Sequence, residues 1–178
     1  MSRHIGDQER ETTMSDDDPR SRILASLGES HQAWQDYVMS LPAEVAIRRL
    51  EGGWSPVDAW IHVTAWKANA LAVARLAADP DAGIDPTKGA AGNLHLDVDE
   101  FNERMLAERA GWTPQQALAW ASEVDGGLRQ AMGALAPQLL LRQAGGPEVA
   151  AWCARPLMVH PGEHLEDLRD LALSPSPN

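Results

Sequence analysis

His160 and His164 stand four residues apart in the segment His160-Pro161-Gly162-Glu163-His164. On a helix that spacing stacks the two imidazoles on one face. With Leu168 and Leu171 they form a stripe that a hydrophobic core would claim. Two imidazoles so placed converge readily on a divalent metal, whose bonds to nitrogen are about 2.0–2.1 Å for zinc. The alternative is a helix-capping histidine beside a half-buried one bonded to a neighbour. Pro161 fits only the first turn of a helix, so His160 is expected at or near the N-cap and to contribute least. His62 is the natural third ligand, on a stripe with Trp66, Asn69, Val73 and Leu76. Taken alone, it reads more often as a core histidine with a satisfied ring than as a ligand. Three inward histidines would leave an open coordination position, which suits catalysis better than structure. Their ring nitrogens would have to lie within about 5 Å of one another.

Other side chains can support such a site. Asp58 lies one turn before His62 and Asp167 three residues after His164, so either can orient an imidazole. Glu163 lies about 100° around the helix from His164 and reads as exposed, yet it is a candidate acid or base if the open position faces it. Asp58 and His31 are the other catalytic candidates. His31 shares the stripe of the first helix with Trp34, and reads more simply as a core or bundle-end histidine. Trp66, Asn69 and Trp34 are the expected pocket residues, and the remaining tryptophans read as core and interface mass. Cys153 has no partner pattern and reads as inert. The cations near these segments, Lys67, Arg142, Arg155 and Arg169, form no cluster in the sequence. A tryptophan-rich pocket in an acidic chain therefore suits a neutral or cationic apolar substrate.

These residues need helices to position them. Leu24, Leu27, His31, Trp34, Val38 and Leu41 step by three and four and predict a helix over 22–41, with Asp18-Pro19 before it and Pro42 closing it. Trp54-Ser55-Pro56-Val57-Asp58 is a helix start with Ser55 as N-cap, and an apolar helix follows over 56–78. Thr113-Pro114-Gln115-Gln116 is a capping box opening a helix over 114–136. A shorter helix is expected over 97–110, and a last one over 158–172. Residues 79–96 read as a loop, and 138–155 as either a short strand or a helical turn. No strand-like alternation is sustained. The expected architecture is all-α, a four-helix bundle with long crossover connections over 22–173, flanked by a disordered acidic tail (1–21) and a short tail (174–178).

Composition narrows the class. The chain has 178 residues, 26 acidic against 15 basic, a net charge of −11 and one cysteine. That excess of acid argues against nucleic-acid or anionic-membrane partners. One cysteine and no apolar run of membrane-spanning length suit a cytoplasmic protein.

Three segments together resemble the DinB-like (YfiT-like) superfamily of metalloenzymes. Trp54-Ser55 through His62 to Trp66 is similar to its first signature. Val98-Asp99-Glu100-Phe101-Asn102 resembles a segment of its ClbS/DfsB and maleylpyruvate-isomerase N-terminal-like branches. His160 to Arg169 resembles its closing histidine helix. The likeness spans about 22–173 and departs at Pro161-Gly162. It implies a four-helix bundle, often a homodimer, with a divalent metal (zinc, or nickel) held by His62, His160 and His164. It also implies a small-molecule substrate and an activity as a thiol-dependent transferase or isomerase, with a low-molecular-weight thiol, or as a hydrolase. The competing expectation is a non-catalytic bundle that sequesters a small molecule in stress or self-resistance.

Overall fold

The computed structural model describes residues 19–50, 53–78, 98–140 and 153–173, without the side chains of 137 and 171–173. Residues 1–18 and 174–178 of the expected tails, the loop 79–96, most of 138–155, and with them His4, His95, Arg142, Trp152 and the Leu171 side chain, lie outside that description, whereas 19–21, expected in the disordered tail, are helical. Among the described residues every regular element is helical and none is a strand. The elements are α1 (Pro19–Ser40), α2 (Ala43–Ala46), α3 (Pro56–Ala78), α4 (Val98–Ala107), α5 (Pro114–Ala134), α6 (Pro137–Leu140), a π-helical turn (Arg155–Val159) and α7 (His160–Leu173). Among the described residues no helix is long and apolar enough to cross a membrane.

Sequence reasons for these boundaries are visible in the caps. α1 starts three residues before the expected boundary at 22, with Pro19 in a first-turn position where no N–H is needed. Ser55 and Asp58 cap α3 reciprocally: the Ser55 hydroxyl accepts from the Asp58 N–H, and the Asp58 carboxylate accepts from the Ser55 N–H. Thr113 and Gln116 do the same for α5. Thr113→Ala is expected to cost about 1 kcal/mol, read as a shifted denaturant midpoint with an unchanged slope. Of the ambiguous stretch 138–155, the described parts are helical, in α6 and again from Cys153.

α3 is the hub. It is buried around most of its circumference and packs against α1, α4, α5 and α7, most extensively against α5. Gly127 lets the α5 backbone come close there, since a Cβ at that position would stand 2.8 Å from Leu71 Cδ2. The apolar interior forms two clusters. One gathers Leu27, Ala74, Leu128, Met132, Leu135 and Leu157; the other gathers Trp34, Val38, Trp60, Ile61, Ala121 and Leu165. A polar layer contributed by Ser30, His31, Lys67 and Asp125 falls, along each helix, between residues of the two clusters. Lys67 donates to the Ser30 hydroxyl at 3.1 Å and to Asp125 Oδ2 at 3.3 Å, and His31 Nδ1 lies 2.7 Å from the same oxygen. Burial lowers the Lys67 pKa, and Asp125 opposes that shift.

Candidate metal centre

His62 is delivered by the second turn of α3, where it is 4 % exposed. The other two histidines come from α7, and the way that helix begins decides where they point. His160 is not an N-cap: its backbone is helical, and its N–H reaches back five residues to the Arg155 carbonyl, which widens the turn. Turns of this kind occur where a helix must accommodate an irregularity, often at a functional site. The irregularity here is Pro161, which has no N–H for the Leu157 carbonyl. The Ser26 hydroxyl donates to that carbonyl at 3.4 Å, and Trp34 Nε1 donates to the Pro161 carbonyl at 3.0 Å. Pro161 is thus built into a continuous helical segment and tied to α1.

The result is convergence. His160 Nε2 lies 3.1 Å from His62 Nε2 and 3.0 Å from His164 Nε2. One ring nitrogen of each histidine lies within 4.8 Å of the other two, and the group could hold a metal ion. For comparison, ligands about 2.0–2.1 Å from zinc in a tetrahedron are about 3.3–3.4 Å apart. The expected N-cap placement of His160 is corrected: its backbone is helical and its Nε2 lies within 3.1 Å of both other rings.

The electrostatics favour neutral rings. Burial, followed by the charges His160 and His164 would carry, pushes His62 down to about 3. Burial, then His164 and Arg155, pushes His160 down to about 4. His164 is lowered by burial, with Asp167 and Glu163 pulling the other way. Neutral imidazoles with converging Nε2 atoms cannot all hydrogen-bond to one another, whereas a cation would accept every lone pair. His62 Nδ1 is buried without a hydrogen-bond partner, and the neighbouring Asn102 side chain is a polar group that pulls its pKa upward.

The three histidines sit in the wall of a cavity of about 640 Å³. Trp54, Trp66, Ala70, Val73, Val98 and Pro156 supply its apolar lining, and Asn69, Asn102 and Arg155 the rest of its polar lining. Trp54 packs on His62 with ring centroids 4.7 Å apart, and Trp66 meets Phe101 at 4.8 Å.

Of the expected pocket residues, Trp66 and Asn69 line this cavity. Trp34 does not: it is fully buried, stacked on Trp60 at 6.5 Å. Asp58 is engaged by the Ser55 N–H and lines a different cavity with Glu103 and Trp112, so its placement as an imidazole partner is corrected. Asp167 lies 3.8 Å from His164 Nδ1 but is largely exposed. Glu163 pairs with Arg155 at 3.2 Å on the surface. His31 belongs to the Asp125 layer. None of Glu163, Asp58 and His31 lines the histidine cavity. Arg155 was one of four scattered cations in the sequence; in the structure it borders the site, while Lys67 is buried on Asp125 and Arg169 lies over the Tyr37 ring. Asn102 and Trp54 were carried by the resembling segments but not singled out as pocket residues. Their signal is alignment with the histidines in space, which spacing along separate helices does not reveal.

Comparison with known proteins adds no relative. No family model, curated protein or solved structure matches the chain. The reading of this site rests on its geometry.

Proposed function

We propose that this protein is a divalent-metal-dependent enzyme acting on a small molecule, with the metal held by His62, His160 and His164. The observation that carries the reading is the meeting of three ring nitrogens, at 3.0 and 3.1 Å about His160, in the wall of a largely apolar cavity. Zinc is the first choice and nickel the second, since both accept imidazole nitrogen. Such an ion supplies a positive centre that polarises a carbonyl or activates water or a thiol. The chain's own residues do the rest. His62, His160 and His164 present neutral lone pairs, Trp54 and Trp66 exclude water from the site, and Asn69 and Asn102 offer amides to a bound molecule. The reaction belongs to thiol-dependent transfer, isomerisation or hydrolysis, in a DinB-like four-helix arrangement.

A second reading, a bundle that sequesters a small molecule, is favoured by one observation. Among the described residues lining the cavity there is no carboxylate to act as acid or base. In that reading the metal is a structural relic or absent, so metal content parts the two readings first and turnover second. A homodimer remains part of the proposal on the resemblance alone, because the six described tryptophans are used within one protomer: Trp34 and Trp60 in the core, Trp54 and Trp66 at the cavity, and Trp112 and Trp120 beside Arg109.

Protein purified without a histidine tag is expected to carry about one equivalent of metal per chain by elemental analysis. His62→Ala, His160→Ala and His164→Ala are each expected to lose it while keeping a helical circular dichroism spectrum. Unchanged metal in the His62→Ala and His164→Ala variants eliminates the site.

A further inference from the structure

The histidine cavity differs in its lining from the strongly acidic chain around it. The protein carries 26 acidic against 15 basic residues, yet no aspartate or glutamate is among the described residues lining the cavity. Among the described residues its one charged lining side chain is Arg155. Of the carboxylates near it, Glu163 pairs with the Arg155 guanidinium at 3.2 Å, Asp58 accepts from the Ser55 N–H, and Asp167, largely exposed, lies 3.8 Å from His164 Nδ1. The candidate ligand set contains no carboxylate either, so a divalent ion on three neutral imidazoles would keep its full double charge.

Arg155 lies in the π turn that leads into His160, and its charge is felt at His160 and, against the opposing pull of Asp167 and Glu163, at His164. The remaining wall offers apolar surface at Trp54, Trp66, Ala70, Val73, Val98 and Pro156. A guanidinium and a metal-bearing histidine set facing an apolar wall favour an anion with an apolar body, the charges meeting its head and the wall its body. Arg155 can be recruited at little cost. Its bond to Glu163 joins side chains 69 % and 47 % exposed, and exposed pairs of that kind contribute little.

Resting on the metal site proposed above, we propose that the cavity binds an apolar molecule with one carboxylate head group, the carboxylate held between the histidine-bound metal and Arg155. The guanidinium fork matches a carboxylate and leaves a neutral amide or an amine without a comparable partner. This differs from the expectation of a neutral or cationic substrate, which rested on the tryptophans and on the sign of the whole chain.

The test titrates zinc-loaded, tag-free protein with three near-isosteric probes, phenylbutyrate, phenylbutyramide and phenylbutylamine, by isothermal calorimetry. Phenylbutyrate is expected to bind at least about 10-fold tighter than the amide, and the amine weakest of all. Arg155→Gln is expected to reduce phenylbutyrate affinity by about 5–10-fold while zinc content stays the same. Glu163→Gln, which releases Arg155, is expected to strengthen phenylbutyrate binding by about 2-fold. Zinc bound with full occupancy but an amide or amine as tight as the carboxylate overturns the ligand class and leaves the metal site standing. So does no detectable binding of any probe at millimolar concentration. If no zinc binds, the metal reading fails. The same titration on metal-free protein then decides the Arg155 contribution: a carboxylate preference lost in Arg155→Gln sustains it, and no preference overturns it.

Discussion

Asp125→Ala is expected to destabilise the protein by about 3–5 kcal/mol, the range for removing one partner of a buried ion pair. Lys67 and Asp125 are 2 % and 3 % exposed, and Asp125 Oδ2 is the carboxylate oxygen that meets both Lys67 and His31. Without it, Lys67 keeps the Ser30 hydroxyl but loses its counter-charge. Asp125 Oδ1 already lacks a hydrogen-bond partner, so the layer is not fully satisfied even in the intact protein. For a chain of this length the loss corresponds to a melting temperature lower by roughly 6–20 °C. The double replacement Lys67→Met with Asp125→Leu removes both charges and should recover most of the stability, since apolar residues of similar volume often replace a buried pair without cost.

The pH dependence has a fixed sign. Burial lowers the Lys67 pKa below its ordinary 10.5, so the unfolded chain binds more protons in the window between the two values. Stability from this group therefore rises with pH through that window. Removing Asp125, which opposes the shift, should widen it, and Asp125→Ala should regain part of its loss under alkaline conditions. Urea denaturation at neutral and alkaline pH reads both effects. A cost below about 1 kcal/mol for Asp125→Ala would show that the layer carries no buried charge pair of consequence.

This layer also marks where sequence reading stopped. Lys67 falls among the mostly apolar buried residues of α3, and Asp125 lies between Ala121 and Leu128 on the buried stripe of α5. Each is an exception on its own helix, and only their meeting in space shows that one answers the other. The helix starts at Pro56 and Pro114 were legible because a cap is local: Ser55 with Asp58, and Thr113 with Gln116, satisfy donors three residues away. The inward stripes of His62 and the α7 histidines were legible for the same reason. The role of Pro161 was not. A proline after His160 suggested a helix start, whereas the chain enters α7 through a π turn, with Ser26 of α1 donating to the Leu157 carbonyl. That remedy is supplied by a residue 131 positions away. Asp58 shows the converse error: spacing suited it to orient His62, but the cap claimed its carboxylate first.

Zinc is expected to raise the stability of the protein near neutral pH, and acid to remove that gain together with part of the stability of the metal-free fold. At a free zinc concentration 1,000 times the dissociation constant the stabilisation is about 4 kcal/mol. The metal-free protein has its own acid sensitivity. His62 titrates at about 3 and His160 at about 4 in the fold, against 6.5 for an unburied imidazole. Because the folded values are the lower ones, the unfolded chain takes up protons first as pH falls below 6.5. Stability is therefore lost progressively from there toward 4 and 3. By pH 5 the two rings together should have removed on the order of 3 kcal/mol. Zinc steepens the loss, because ligation needs the neutral ring and protons compete with the ion. Thermal melts with zinc and with chelator, between pH 7.5 and pH 5, separate the two contributions. His62→Ala should abolish the zinc increment, and His62→Ala with His160→Ala should in addition flatten the acid slope of the metal-free protein. A zinc increment surviving in His62→Ala would place the metal elsewhere, and an undiminished acid slope in the double variant would assign the acid sensitivity to other groups.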